Sequence, residues 1–231
     1  MIDIDFKGFK PTALEFLKEL SENNNRNWFT QNKQRYENDV LTPAFDFISA
    51  MSEPLASISP HFTAIPKRIG GSLMRIYRDT RFAKDKTPYK TNIGIQFRHQ
   101  SAKDVHSPGY YLHIAPDEIF VGIGTWHPPS DALLKIREHI NEYPNKWLAA
   151  CNNKEFRKKY ELAGDKLKTA PRGFPKDHEL IDDLRWKDFI AVRNLNQNDI
   201  QNENFIEVCR VLFKTATPYM KFLCDALGVS F

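Results

Sequence analysis

Apolar positions recur three and four residues apart at both ends of this chain and every second residue in its middle. Leu14, Phe16, Leu17 and Leu20 follow helical spacing from Pro11, which suits a first helical turn, and the polar run Ser21-Glu22-Asn23-Asn24-Asn25 ends that helix. Phe29, Tyr36, Val40, Ala44, Ile48, Met51 and Leu55 share one face of a second helix starting near Trp28. Pro43, which lacks an N–H, should kink or split it.

From Ser72 the period changes. Leu73 to Arg78 reads as a strand. Ile93, Ile95 and Phe97 alternate in a second, Tyr110, Leu112 and Ile114 in a third, and Ile119, Val121 and Ile123 in a fourth. Ala115-Pro116-Asp117-Glu118 is turn chemistry, and no crossover helix fits between these strands, so the pairing is antiparallel. Helix returns over Asp131–Tyr143 with Ser130 as N-cap, and Pro144 starts another short stretch containing Trp147 and Leu148. Residues 164–188 read as a long ordered loop and Phe189–Leu195 as a further strand. A last helix runs unbroken from Phe205 to Leu227, with Gly228 as its C-terminal cap.

Runs of helix flanking a run of strands predict an α+β fold. Its central antiparallel sheet spans residues of about 72–125, which 189–195 can join. The N-terminal helices and the long C-terminal helix cover it, in one domain over 1–231.

Composition changes this picture little. The chain has 231 residues, 41% apolar, with 17 Phe, 8 Tyr and 4 Trp to fill a core, which excludes overall disorder. Cys151, Cys209 and Cys224 make no CxxC or Cys/His zinc spacing, and an odd number argues for free thiols in a reducing compartment. Met1 to Phe6 carries acids where a signal peptide has bases, and no segment approaches a membrane span, so the expectation is a cytoplasmic protein without a membrane partner.

Charge changes it more. The net charge is +4, yet Lys67 to Lys103 holds ten bases and only two acids, Asp79 and Asp85, giving +8 locally against −4 for the remainder. Arg75, Arg78 and Arg81 stand three apart at its centre, with Lys84, Lys86 and Lys90 following. Arginine matches carboxylate and phosphate oxygens with a planar fork, and lysine adds mobile charge. The same residues also suit a set of surface salt bridges, each worth little. Tyr111 and His113 share the face of the third strand opposite Tyr110, Leu112 and Ile114. There is no Walker loop, GxGxxG, GxSxG or HExxH. His106, His113, His127 and Glu118 match no recognised ligand spacing, so no metal is assigned. Trp126-His127-Pro128-Pro129 reads as a rigid strand exit.

The run R-I-Y-R-D-T-R-F-A-K-D-K-T-P-Y-K-T-N, with S-P-G-Y-Y-L-H-I, G-F-P-K-D-H and L-R-W-K-D-F after it, resembles a bacterial and fungal family catalogued as domain of unknown function 2461. The resemblance runs from Phe9 to about Leu227 and implies a single full-length domain. It carries over no activity, cofactor or catalytic residue.

The leading expectation is a basic pocket for a small anionic, phosphate-bearing ligand. Arg75, Arg78 and Arg81 grip the anion, Lys86 and Lys90 stand at its rim, and Tyr89 or Tyr111 packs against the rest. His113 and Asp79 are the candidate proton carriers if chemistry follows. The alternative is a non-enzymatic module whose basic face meets nucleic acid. Because Tyr77, Phe82, Pro88 and Tyr89 are interleaved with the bases, at least one of the three arginines is expected to be mostly buried and bonded to a carboxylate or to carbonyls.

Overall fold

The computed structural model describes residues 6–101 and 107–231. Lys103 and His106 lie outside the described residues.

The first helix, α1 (Pro11–Glu22), has Pro at its start and buries Leu14, Phe16, Leu17 and Leu20, as the spacing predicts. The second predicted helix is broken into α2 (Arg26–Gln31), a single turn α3 (Lys33–Arg35), a π-helical turn Tyr36–Leu41, α4 (Thr42–Ala50) and α5 (Ser52–Ile58). The π turn has a local cause. Pro43 offers no N–H to the preceding turn, and the Thr42 N–H reaches back five residues to the Glu37 carbonyl.

Among the described residues six strands form one antiparallel sheet, in the order β1-β2-β3-β4-β6-β5. They are β1 (Phe62–Thr63), β2 (Ile93–His99), β3 (Gly109–Ile114), β4 (Ile119–Thr125), β5 (Glu161–Ala163) and β6 (Phe189–Asn194). The short edge strands β1 and β5 have too few alternating residues to be seen in sequence.

The predicted strand at Leu73–Arg78 is a correction. That segment is extended but touches β2 only through the Leu73–Ile95 bridge, with Met74 N–H bonded to Gly94 O at 2.8 Å and Gln96 N–H to Ser72 O at 2.8 Å. It then leaves the sheet and pairs with residues 88–90 of its own arm. Alternation shows that a segment is extended, not what it pairs with.

Between β4 and β6 lie α6 (Ser130–Glu142), α7 (Pro144–Cys151), α8 (Lys154–Lys159) and α9 (Ile181–Leu184). Ser130 is the first residue inside α6 and makes no capping bond, because Pro129 occupies the cap position. After α10 (Gln197–Gln201), the predicted single C-terminal helix is two, α11 (Phe205–Thr215) and α12 (Thr217–Leu227), interrupted at Ala216 just before Pro218. Gly228 does close α12, at a positive φ of 69° that glycine adopts without a Cβ penalty.

Helices α4, α7 and α11 pack on one face of the sheet. Phe97 of β2 and Tyr110 of β3 pack on Phe213 of α11, Phe47 of α4 packs on Phe97 and Phe205, and Trp147 of α7 meets Phe189 of β6. Each fully buried aromatic side chain contributes about 1.5–3 kcal/mol of transfer free energy to this layer. Cys151, Cys209 and Cys224 are free and buried, and burial pushes all three thiols up. The register puts Gly94, Gln96, Arg98, Tyr111, His113 and Phe120 on the opposite face, which carries none of these helices. No helix among the described residues is long and apolar enough to cross a membrane.

Candidate functional site

Between β1 and β2 the chain makes a long excursion, residues 64–92, that holds most of the basic cluster. Its base is fixed by Ser72, whose backbone and hydroxyl bond Ile65, while the hydroxyl also reaches the Thr63 carbonyl at 3.3 Å. Its outer part is a hairpin arm closed by Arg78 N–H to Pro88 O at 2.9 Å and Lys90 N–H to Ile76 O at 2.7 Å. Asn24, just after α1, clamps the arm at Tyr89, and the buried Tyr89 ring stacks on Phe29 at 4.1 Å.

The arm's charges are largely paired. Arg81 forks onto Asp79, with Nε–Oδ1 at 3.0 Å and an NH2–Oδ2 distance of 2.6 Å. Arg78 pairs with Asp85 and the Thr87 hydroxyl, and Lys86 donates to the Thr80 carbonyl at 2.9 Å. The Arg81 guanidinium holds the Asp79 carboxyl down to about 2, and that of Arg78 does the same to Asp85. Both acids are therefore ionised and occupied at neutral pH. Arg78 is the arginine with cover, its side chain 29% exposed and salt-bridged, while Arg81 is 77% exposed. Asp79 stands next to Arg78 in sequence, yet the arm's turn gives it to Arg81 and brings Asp85 to Arg78.

Arg75 stands apart. Among the described residues its guanidinium makes no hydrogen bond or ion pair, although it lies close enough to help lower the nearby Lys90 ammonium, which burial depresses first. Arg75 lines a cleft of about 700 Å³ between the π turn and residues 68–77. Phe29, Tyr36, Leu41, Leu73, Met74, Ile76 and Tyr77 give it apolar and aromatic walls. Among the described residues four cations line it, Lys33, Arg68, Arg75 and Arg98, against one carboxylate, Glu37. Arg68 neutralises Glu37 through a 2.7 Å bridge, and Arg98 reaches only the Gly71 carbonyl at 3.4 Å. Burial raises the Tyr36 hydroxyl to about 12, so it remains a neutral donor.

Tyr111 and His113 share the sheet face of Gln96 and Arg98, which line this cleft, but are not in its lining themselves. Met74 connects the two. It lines the cleft, and its sulfur and the Tyr111 hydroxyl both crowd the space where a side chain at Gly94 would begin, at 3.1 and 2.8 Å. The Tyr111 hydroxyl and the His113 Nδ1 are 3.1 Å apart, and His113 stacks on Phe120 at 4.8 Å. Burial lowers the imidazole and lifts the Tyr111 phenol to about 12.

Of the residues singled out in sequence, then, only Arg75 lines the cleft; Arg78, Arg81, Lys86, Tyr89 and Lys90 belong to the arm, and Tyr111 to the adjoining sheet face. Lys33, Glu37 and Arg98 were missed as cleft residues because they come from distant turns and strands, and Lys33 and Glu37 read simply as solvated helix surface. Among the described residues no cluster of three or more His, Cys, Asp or Glu side chains is placed to hold a metal ion.

No curated protein and no solved structure matches this sequence. A family model does, over residues 12–222, and the chain belongs to the family described as "Conserved hypothetical protein (DUF2461)".

Proposed function

We propose that the cleft between the π turn and residues 68–77 binds a small anionic ligand, a phosphate-bearing metabolite or nucleotide. The observation that carries this reading is Arg75, whose guanidinium makes no hydrogen bond or ion pair among the described residues, on the wall of a cleft that also holds Lys33, Arg98 and an acid, Glu37, already bridged by Arg68. An arginine left unpaired beside apolar walls has its fork free for a carboxylate or phosphate. Lys33, whose ammonium makes no hydrogen bond among the described residues, supplies a mobile charge in the same cleft, and Tyr36 and Tyr77 offer ring surface to the remainder of the ligand.

In this reading Arg78 and Arg81 are structural, since Asp85 and Asp79 occupy them. Asp79 is no proton carrier for the same reason. His113, beside Tyr111 and next to Met74, is the group able to move a proton if chemistry follows binding.

The test is a thermal-shift screen of nucleotides and phosphorylated metabolites on wild type, Arg75→Ala and Arg81→Ala. A compound that stabilises wild type and Arg81→Ala but not Arg75→Ala is the expected result. No stabilising compound, or equal shifts in all three proteins, overturns it. Gel shifts with single- and double-stranded DNA and RNA at two salt concentrations address the nucleic-acid alternative, because backbone binding weakens steeply with salt.

A further inference from the structure

At the far end of β4, outside the cleft, the chain leaves the sheet through Trp126 and His127. His127 has a φ of 48°, the one non-glycine residue with positive φ among the described residues. A histidine there is strained unless its surroundings hold it. Asp188, just before β6 and 2% exposed, does so. Its Oδ1 accepts the His127 backbone N–H at 2.7 Å and faces the ring Nδ1 at 2.6 Å, while the Asp165 N–H approaches Oδ2 at 3.4 Å. A carboxylate accepting from Nδ1 fixes the Nδ1–H tautomer and leaves the Nε2 lone pair outward. The imidazole side chain is 57% exposed, and the half-exposed Trp126 indole stacks on it at 4.1 Å.

We infer that Asp188 and His127 form a second reactive site, in which the His127 Nε2 is a nucleophile toward acyl compounds carrying a flat apolar group that rests beside Trp126. The site is independent of the cleft, which neither residue lines. An uncharged carbonyl compound fits better than a phosphate, because the cations of this corner are engaged: Lys187 with Asp165, and Arg137 with the carbonyls of Leu184 and Trp186. In the reaction the Nε2 lone pair adds to the carbonyl carbon and the bond to the leaving oxygen breaks. Asp188 balances the positive charge that develops on the ring. Water then hydrolyses the N-acyl bond, releasing the acid and restoring the lone pair. His127 is the catalytic residue and Asp188 a positioning residue.

The probe is p-nitrophenyl acetate, followed by release of p-nitrophenolate. Asn tolerates left-handed backbone, so His127→Asn keeps the turn, and Asp188→Asn keeps an acceptor for the His127 N–H while removing the charge. Wild type is expected to release p-nitrophenolate at least about tenfold faster than either variant, with all three folded by circular dichroism. Nitrogen-15 NMR should show wild-type His127 as the Nδ1–H tautomer when neutral, and Asp188→Ala, which removes the acceptor oxygen, should lose that preference. A wild-type rate no higher than that of His127→Asn, or an Nε2–H tautomer in wild type, overturns the inference.

Discussion

The side-chain amide of Asn24 bonds both main-chain groups of Tyr89. Its Nδ2 donates to the Tyr89 carbonyl at 2.9 Å, and its Oδ1 accepts the Tyr89 N–H at 3.0 Å. One amide thereby imitates a neighbouring strand, 65 residues away in sequence, at the root of the basic arm. Asn24→Ala leaves a buried residue's backbone without partners and should destabilise the protein by about 1–3 kcal/mol. Asn24→Asp, which keeps the acceptor and loses the donor, should fall between it and wild type. Urea unfolding midpoints measure both; an unchanged midpoint for Asn24→Ala would show that the clamp contributes nothing.

Arg137, buried in α6, donates from Nε to Leu184 O at 2.7 Å and from NH2 to Trp186 O at 2.8 Å. Burial depresses its guanidinium from the ordinary arginine range, yet the charge is kept. Arg137→Leu orphans two carbonyls and should cost on the order of 1–3 kcal/mol for each. Arg137→Lys should recover only part of this, since an ammonium lacks the planar fork. Thermal denaturation of the two variants ranks them.

The arm's two ion pairs should behave differently. Arg78 is partly covered and also holds Thr87, so Arg78→Ala should lower the melting temperature. The Arg81–Asp79 pair is exposed to water, so Arg81→Ala should leave the melting temperature where it was. A melting temperature lowered equally by both substitutions would mean the arm folds as one charged unit.

His113 titrates below its ordinary value of 6.5, because burial disfavours its charged form. Its unfolded form therefore binds the proton first. Stability from this residue is present above pH 6.5 and is lost as pH falls below 6.5 toward its folded value. His139, lowered chiefly by burial too, acts in the same direction, so the two must be separated by residue. NMR titration should place the His113 midpoint below 6.5, and His113→Gln should flatten the loss of stability in that window. A His113 midpoint at or above 6.5 would contradict its burial.

A methyl group at Gly94 meets the Tyr111 hydroxyl at 2.8 Å and the Met74 sulfur at 3.1 Å. Gly94→Ala should thus push these two apart and cost roughly 1–3 kcal/mol by overpacking. Tyr111→Phe in the same chain should restore part of that loss, which a double-mutant cycle on unfolding free energies reads directly.

Local pattern determined what local physics controls. The 3.6-residue spacing of Leu14, Phe16, Leu17 and Leu20, the alternation of Tyr110, Leu112 and Ile114, the break expected at Pro43 and the cap at Gly228 were all legible, because each depends on a few adjacent residues. The α+β class followed from their order. The Pro218 break was legible in principle and was masked by the uninterrupted apolar period on either side of it. Partnership was decided only in three dimensions. Whether Leu73–Arg78 joins the sheet or its own arm, whether Asp79 takes Arg78 or Arg81, and which of three equally spaced arginines makes no ion pair among the described residues depend on where the arm turns. The His127–Asp188 contact joins residues 61 apart, and nothing in Trp-His-Pro-Pro announces it. Hydrogen bonds and ion pairs act over about 3 Å, whereas a sequence orders residues only along the chain, so contacts of this kind appear once the fold has brought the ends of separate strands together.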